Sequence, residues 1–166
     1  MKKLFKFTFF IIVVLFIGNT SFAQEKEKFE AKCTGVFTKY HRIEVNDPSE
    51  HTFSLYEAKG AGTMNSGGFS FINYGTSRLV KGKGIHNGIN KVIYENGDFS
   101  FSEWEGNVTP IETATGKSTI SFEGTWTHMG GTGRWENAEG KGTYKGSFVG
   151  DGIYVMGFEG EYTFKK

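Results

Sequence analysis

The chain reads as all-β, a closed antiparallel barrel of about eight strands, and three observations carry that reading. Apolar and polar residues alternate with a period of two in segment after segment, most strictly over 118–127. The composition, with 24 Gly, 17 Phe, 7 Tyr and 3 Trp against 2 Pro, suits short strands joined by tight turns and argues against disorder, which is poor in aromatics. Past the first 23 residues no segment sustains a period near 3.6, so long helices are not expected.

Lys2, Lys3 and Lys6 precede a short apolar run, 9–17, and then Ser21-Phe22-Ala23. A basic start, an apolar stretch short for a transmembrane helix and a small-x-small exit read as a secretory signal peptide over 1–23, with an uncleaved N-terminal anchor as the alternative, so the product is expected to be exported, periplasmic or extracellular. Residues 24–33 alternate in charge without apolar periodicity and read as a loosely packed leader, with the barrel domain over 34–166. The full chain carries 19 basic and 18 acidic residues; without the leading lysines the remainder is at about −2. Such a balance leaves no electrostatic footprint for nucleic acid or an anionic membrane surface, so neither is expected as a partner once the signal is removed. The single cysteine, Cys33, excludes an intrachain disulfide and reads as a small packed residue.

Along the chain, Val36, Phe37, Thr38, Tyr40, Ile43 and Val45 favour a first strand, which Asn46-Asp47-Pro48-Ser49 breaks. A second runs over 51–61, with Phe53, Leu55 and Glu57 on one face, before Gly60-Ala61-Gly62 and Asn65-Ser66-Gly67-Gly68 bend the chain. Phe69 and Phe71 begin a third, and 77–85 reads as a fourth. The segments 89–95 and 98–106 around Asn96-Gly97 predict a hairpin with a type I′ turn. Phe99 and Phe101 share a face there, and Trp104, on the opposite parity, suggests a bulge or bend. The segment 107–116, with Pro110, reads as a connection. Next, Ser118, Ile120, Phe122, Gly124 and Trp126 face one way; after 143–149 and the Gly150-Asp151-Gly152 turn, Tyr154, Met156, Phe158, Gly160, Tyr162 and Phe164 do the same. Repeated glycine on the core side of strands favours a barrel over a sandwich, and a barrel of this size holds at most one small ligand.

Between these last strands lies Gly130-Gly131-Thr132-Gly133-Arg134-Trp135, followed by Ala138-Glu139-Gly140. The two leading glycines permit a turn closed to residues with a β-carbon, and Trp135 and Ala138 are spaced to share one helical turn before a strand restarts at Gly140. Trp135 is thereby expected to plug one end of the core. This stretch resembles the motif of the allene oxide cyclase and dirigent barrel families, where Gly-Gly-Thr-Gly, an aromatic, an alanine and a glycine recur at this spacing. Related domains of unassigned function occur in exported bacterial proteins. The resemblance covers 118–164 and implies an eight-stranded antiparallel barrel, often a homo-oligomer, around an apolar cavity that in those families takes lipid-derived or phenolic molecules. None of the families' functional positions map onto this chain. Gly124-Thr125-Trp126 also resembles the Gly-x-Trp of lipocalin and avidin-like barrels, although there it marks the first strand and here it falls late.

No catalytic machinery is identifiable. His41, His51, His86 and His128 fall on four different elements without metal-ligand spacing, so no metal is expected and exposed or capping histidines are the reading; nothing calls for a cofactor. Glu123 has the parity opposite to Phe122 and Trp126 and belongs in solvent. Glu57 is the one weak catalytic candidate, provided that the face it shares with Phe53 and Leu55 points inward. A ligand wall is expected from Phe122, Trp126, Trp135, Met156 and Phe158 if a void remains between them. The expected function is therefore binding of a small apolar or aromatic molecule, with an isomerase or cyclase, or a structural envelope or matrix oligomer, as alternatives.

Overall fold

The computed structural model describes residues 25–112 and 118–164, so the signal-peptide reading of 1–23 lies outside the described residues. Eight strands form a closed antiparallel barrel in which each pairs with its neighbours in sequence and the last pairs with the first. They are β1 (Glu25–Glu44), β2 (His51–Met64), β3 (Gly67–Val80), β4 (Lys83–Tyr94), β5 (Phe99–Glu112), β6 (Ser118–Gly131), β7 (Ala138–Gly150) and β8 (Ile153–Phe164), with a 3₁₀ turn over Gly133–Trp135 between β6 and β7.

Several boundaries differ from the sequence expectation, each for a local reason. The stretch read as a leader is the first half of β1, paired with β8 from Glu25↔Phe164 onward. Its inward residues are Phe29, Ala31 and Cys33, and Phe29 packs edge-on against Trp126 and Tyr162 at 5.9 and 5.7 Å. The charges that masked this periodicity lie mostly on its outer face. The Gly60-Ala61-Gly62 segment does not bend away but continues β2, where a β-carbon at Gly60 or Gly62 would collide with the rings of Phe71 or Phe69. The predicted fourth strand over 77–85 is cut by a turn at Lys81-Gly82. Both residues there have positive φ, 51° and 75°, so the type I′ turn sits there. At Asn96-Gly97 only Gly97 is left-handed, and the Gly97 N–H donates to the Tyr94 carbonyl at 3.0 Å, making a type I turn followed by a left-handed glycine. Residues 107–112, with Pro110, are not a connection but the end of β5, with Pro110 paired to Ile120 of β6, and 113–116 lie outside the described residues; pairing with β4 stops at Val108, so no ladder bond is lost to the proline.

Inward glycines and inward aromatics on neighbouring strands complement each other around the wall. Where one strand omits a side chain, a ring from the next lies across the gap. A β-carbon on Gly106 or Gly124 would stand 2.5 or 2.6 Å from the Tyr144 hydroxyl, and one on Gly75 would stand as close to the Tyr56 ring. This arrangement packs one half of the barrel with rings, Phe29, Trp126, Tyr162 and Phe164 among them. At that closed end, which also carries the start of β1, the end of β8 and the β2–β3, β4–β5 and β6–β7 connections, Trp135 is buried and stacks on Tyr94 at 4.5 Å, with its edge contact to Tyr162 at 4.9 Å. The Arg134 guanidinium lies over Phe164 at 3.9 Å and reaches Glu27 at 2.7 Å, tying the 3₁₀ turn to β1 and β8. On the outer face, Ile43, Phe53, Leu55, Tyr74, Ile85 and Ile89 are exposed across β1–β4.

Candidate ligand cavity

The opposite half of the barrel is not filled. A cavity of about 120 Å³ remains near the mouth that carries the β1–β2, β3–β4 and β7–β8 turns. Phe37, Tyr56, Trp104, Phe122, Phe148 and Phe158 are among its walls, and among the described residues no Asp, Glu, Lys or Arg side chain lines it.

Tyr40 reaches this wall because of an irregularity in β1. The β1–β2 register slips between Phe37 and Lys39, so Thr38 is an extra residue and Tyr40 comes opposite the inward-facing Tyr56. Tyr40 then stacks on Phe37 at 5.3 Å and shares a 2.9 Å hydrogen bond with Ser54 Oγ, at the rim of the cavity.

The polar lining comes chiefly from β3 and β4. His86, buried between the rings of Trp104 and Phe122, has Nε2 at 2.9 Å from the Tyr144 hydroxyl. Burial pushes its pKa down to about 4 and pushes the Tyr144 phenol up, so both groups are neutral at pH 7. The tautomer of His86 sets which of the two donates. Asn73 and Asn90 stand directly opposite each other across β3 and β4. Asn73 Oδ1 accepts from Trp104 Nε1 at 3.0 Å, whereas Asn90 Oδ1 is buried without a partner. Burial pushes the Tyr154 phenol up and the Asn73 side-chain amide beside it acts the other way, but the two fall short of hydrogen-bond geometry, so the buried hydroxyl has no partner.

Of the residues expected to form a ligand wall, Phe122, Met156 and Phe158 line this cavity, whereas Trp126 and Trp135 stand in the filled half. Glu57 is outside the barrel altogether. The inward residues of β2 are Thr52, Ser54, Tyr56 and Ala58; Phe53 and Leu55, on the parity of Glu57, are 41% and 61% exposed. Glu57 is nevertheless covered by what binds it. Lys39 Nζ lies at 3.0 Å, the Thr38 hydroxyl at 2.9 Å and Lys59 Nζ at 3.4 Å, and the hydrogen bonds from Lys39 and Thr38 hold the carboxyl below its ordinary pKa. A carboxylate so held is the reverse of a general acid. Glu57→Gln is expected to leave ligand binding in the cavity unchanged and to lower the melting temperature slightly, as calorimetry with and without a bound aromatic would show.

The histidines divide in two. His51 has its backbone N–H and Nδ1 both on the Asp47 carboxylate, at 2.9 and 2.6 Å, in the β1–β2 turn, and His41 is exposed. Strand parity turns His86 and His128 into the barrel; His86 is neither exposed nor a cap, whereas His128 Nε2 lies 2.9 Å from the Trp135 carbonyl, the last of the 3₁₀ turn. Among the described residues no three His, Cys, Asp or Glu side chains are grouped to hold a metal ion, and no helix is long and apolar enough to cross a membrane. Burial pushes the Cys33 thiol up to about 12, so it is neither a nucleophile nor a metal ligand as it stands. In comparisons with known proteins, no family model, no curated protein and no solved structure matches the chain.

Proposed function

We propose that this protein is a binding module that holds one small, uncharged, apolar or aromatic molecule in the mouth half of the barrel. The observation that carries the reading is the cavity of about 120 Å³ with aromatic walls and no charged side chain among the described lining residues. A volume of that order suits a single ring, since a dry apolar cavity of ~150 Å³ accepts benzene. It lies below the ~300–1,000 Å³ of drug-sized sites. The closed barrel and the buried Trp135 at the Gly130–Gly133 corner support placing the chain with the allene oxide cyclase and dirigent-like barrels. The 1–23 stretch supports export, which fractionation of cells with an antibody to the barrel would test.

The His86–Tyr144 pair favours an isomerase as a second reading, because it puts a potential base and acid in the cavity. Its chemistry is weak for that task. General acid–base catalysis works best with pKa values near the operating pH, and burial moves these two apart from it in opposite directions.

Trp104 is part of the wall, so its fluorescence reports occupancy. Titration with neutral one-ring compounds should give a saturable change with dissociation constants in the micromolar to millimolar range. Val108→Phe, which adds a ring to the lining, should abolish it. A panel of such compounds with no saturable signal, by fluorescence or by calorimetry, would overturn the proposal.

A further inference from the structure

We infer that the molecule held in the cavity is a neutral alcohol, with its hydroxyl seated between Asn90 and Tyr154 and its ring against the aromatic wall. The inference rests on the binding reading above and adds the functional group. Buried polar atoms in folded proteins are hydrogen-bonded with few exceptions, so each exception calls for an account. Among the described residues three buried side-chain polar atoms have no partner: Asn90 Oδ1, Tyr154 Oη and His128 Nδ1. His128 lies between Trp135 and Tyr162 in the other half and is not a lining residue of the cavity. The other two belong to residues that line the cavity and are themselves 9% and 4% exposed.

Their neighbours do not relieve them. Asn73, across the register from Asn90 and beside Tyr154, already gives its Oδ1 to Trp104, and His86 and Tyr144 satisfy each other. What remains is one carbonyl oxygen, which only accepts, and one phenol, which donates and accepts. A ligand seated against them must serve both or leave a buried polar atom unpaired. A hydroxyl is the smallest group that meets both demands, donating to Asn90 Oδ1 while accepting from Tyr154. An ether or a ketone accepts from Tyr154 but leaves Asn90 stranded. A carboxylic acid would ionise at neutral pH and bring a charge that no described lining residue balances.

Three probes of nearly one size separate these cases. Benzyl alcohol and anisole are isomers differing in whether the oxygen can donate, and toluene has no oxygen. Isothermal titration of the full barrel is expected to show benzyl alcohol binding about tenfold more tightly than either of the others. Asn90→Leu should bring that ratio to about one while toluene still binds, and Tyr154→Phe should reduce it. If a variant fails to fold, the ratio on the unaltered protein decides alone. Toluene or anisole binding as tightly as benzyl alcohol would overturn the hydroxyl assignment and leave the cavity's role as a binding site standing. No binding by any of the three, nor by the wider panel of neutral rings, would overturn both.

Discussion

Trp135→Ala is expected to cost about 3–5 kcal/mol of unfolding free energy, the range for deleting a large buried aromatic. For a domain of this size that is a fall in melting temperature of roughly 10–20 °C. The magnitude follows from how many elements meet on one ring. Tyr94 of β4 stacks on it at 4.5 Å, Tyr162 and Phe164 of β8 meet it edge-on at 4.9 and 5.6 Å, and its own carbonyl holds the His128 ring of β6 at 2.9 Å. Removing the indole therefore leaves a void between three strands whose backbone ladders prevent it from collapsing. Trp135→Phe should lose much less, because a smaller ring can keep the stack on Tyr94. The same substitution also separates sealing from binding. Trp135 is absent from the cavity lining, so well below its melting temperature Trp135→Ala should bind one-ring compounds with the affinity of the unaltered protein. Denaturant unfolding measures the first effect and calorimetric titration the second; a loss of affinity without a loss of stability would place Trp135 at the ligand instead.

Why the closed end was readable in the sequence and the cavity was not comes down to which residues face inward. In β6 and β8 the inward positions hold Phe122, Trp126, Tyr154, Met156, Phe158 and Tyr162, so hydrophobic alternation and burial coincide and the faces are assigned correctly. In β2 and β4 the relation is inverted. The inward set near the mouth is Thr52 and Ser54 in β2 and His86 and Asn90 in β4, while Phe53, Leu55, Ile85 and Ile89 point outward. Strands favour β-branched and aromatic residues on either face. An interior that keeps a space needs small or polar side chains, so the hydrophobic parity in these two strands marks the outside wall. That inversion is what made Glu57 look like a cavity carboxylate and His86 like a surface residue. One available signal pointed the other way: Gly84-Ile85-His86-Asn87-Gly88-Ile89-Asn90 spaces His86 and Asn90 on the parity of two glycines, and glycine on a barrel strand marks the side that receives a neighbour's ring. The same logic explains β1. Phe29, Ala31 and Cys33 form a short inward row that is legible only once β8, 130 residues later in the chain and roughly twice the typical strand length, is known to lie beside it.

Acidification is expected to remove about 3 kcal/mol of stability between pH 6.5 and about 4 through His86 alone. In the unfolded chain this imidazole takes up a proton near its ordinary pKa of ~6.5. In the barrel it resists until about 4, because burial among Trp104, Phe122 and Tyr144 disfavours the cation and no lining carboxylate offsets that. Within that window the unfolded state binds more protons than the folded one, so stability rises with pH; above 6.5 the contribution is fully present, and below about 4 it no longer changes. His128, shifted down by burial in the same direction, adds to the slope inside the window. Asp47 and Glu57 are held low by their partners, so their contributions are lost only at lower pH, as each carboxylate is protonated through its folded pKa. His86→Gln isolates the effect, since the amide can keep the hydrogen bond to Tyr144 but cannot titrate. Urea unfolding at pH 7, 5.5 and 4 should show the unaltered protein losing about 3 kcal/mol more than this variant over the interval. Parallel losses would mean that His86 is solvated in the native state, and a solvated His86 would in turn mean that water passes freely into the mouth half of the barrel.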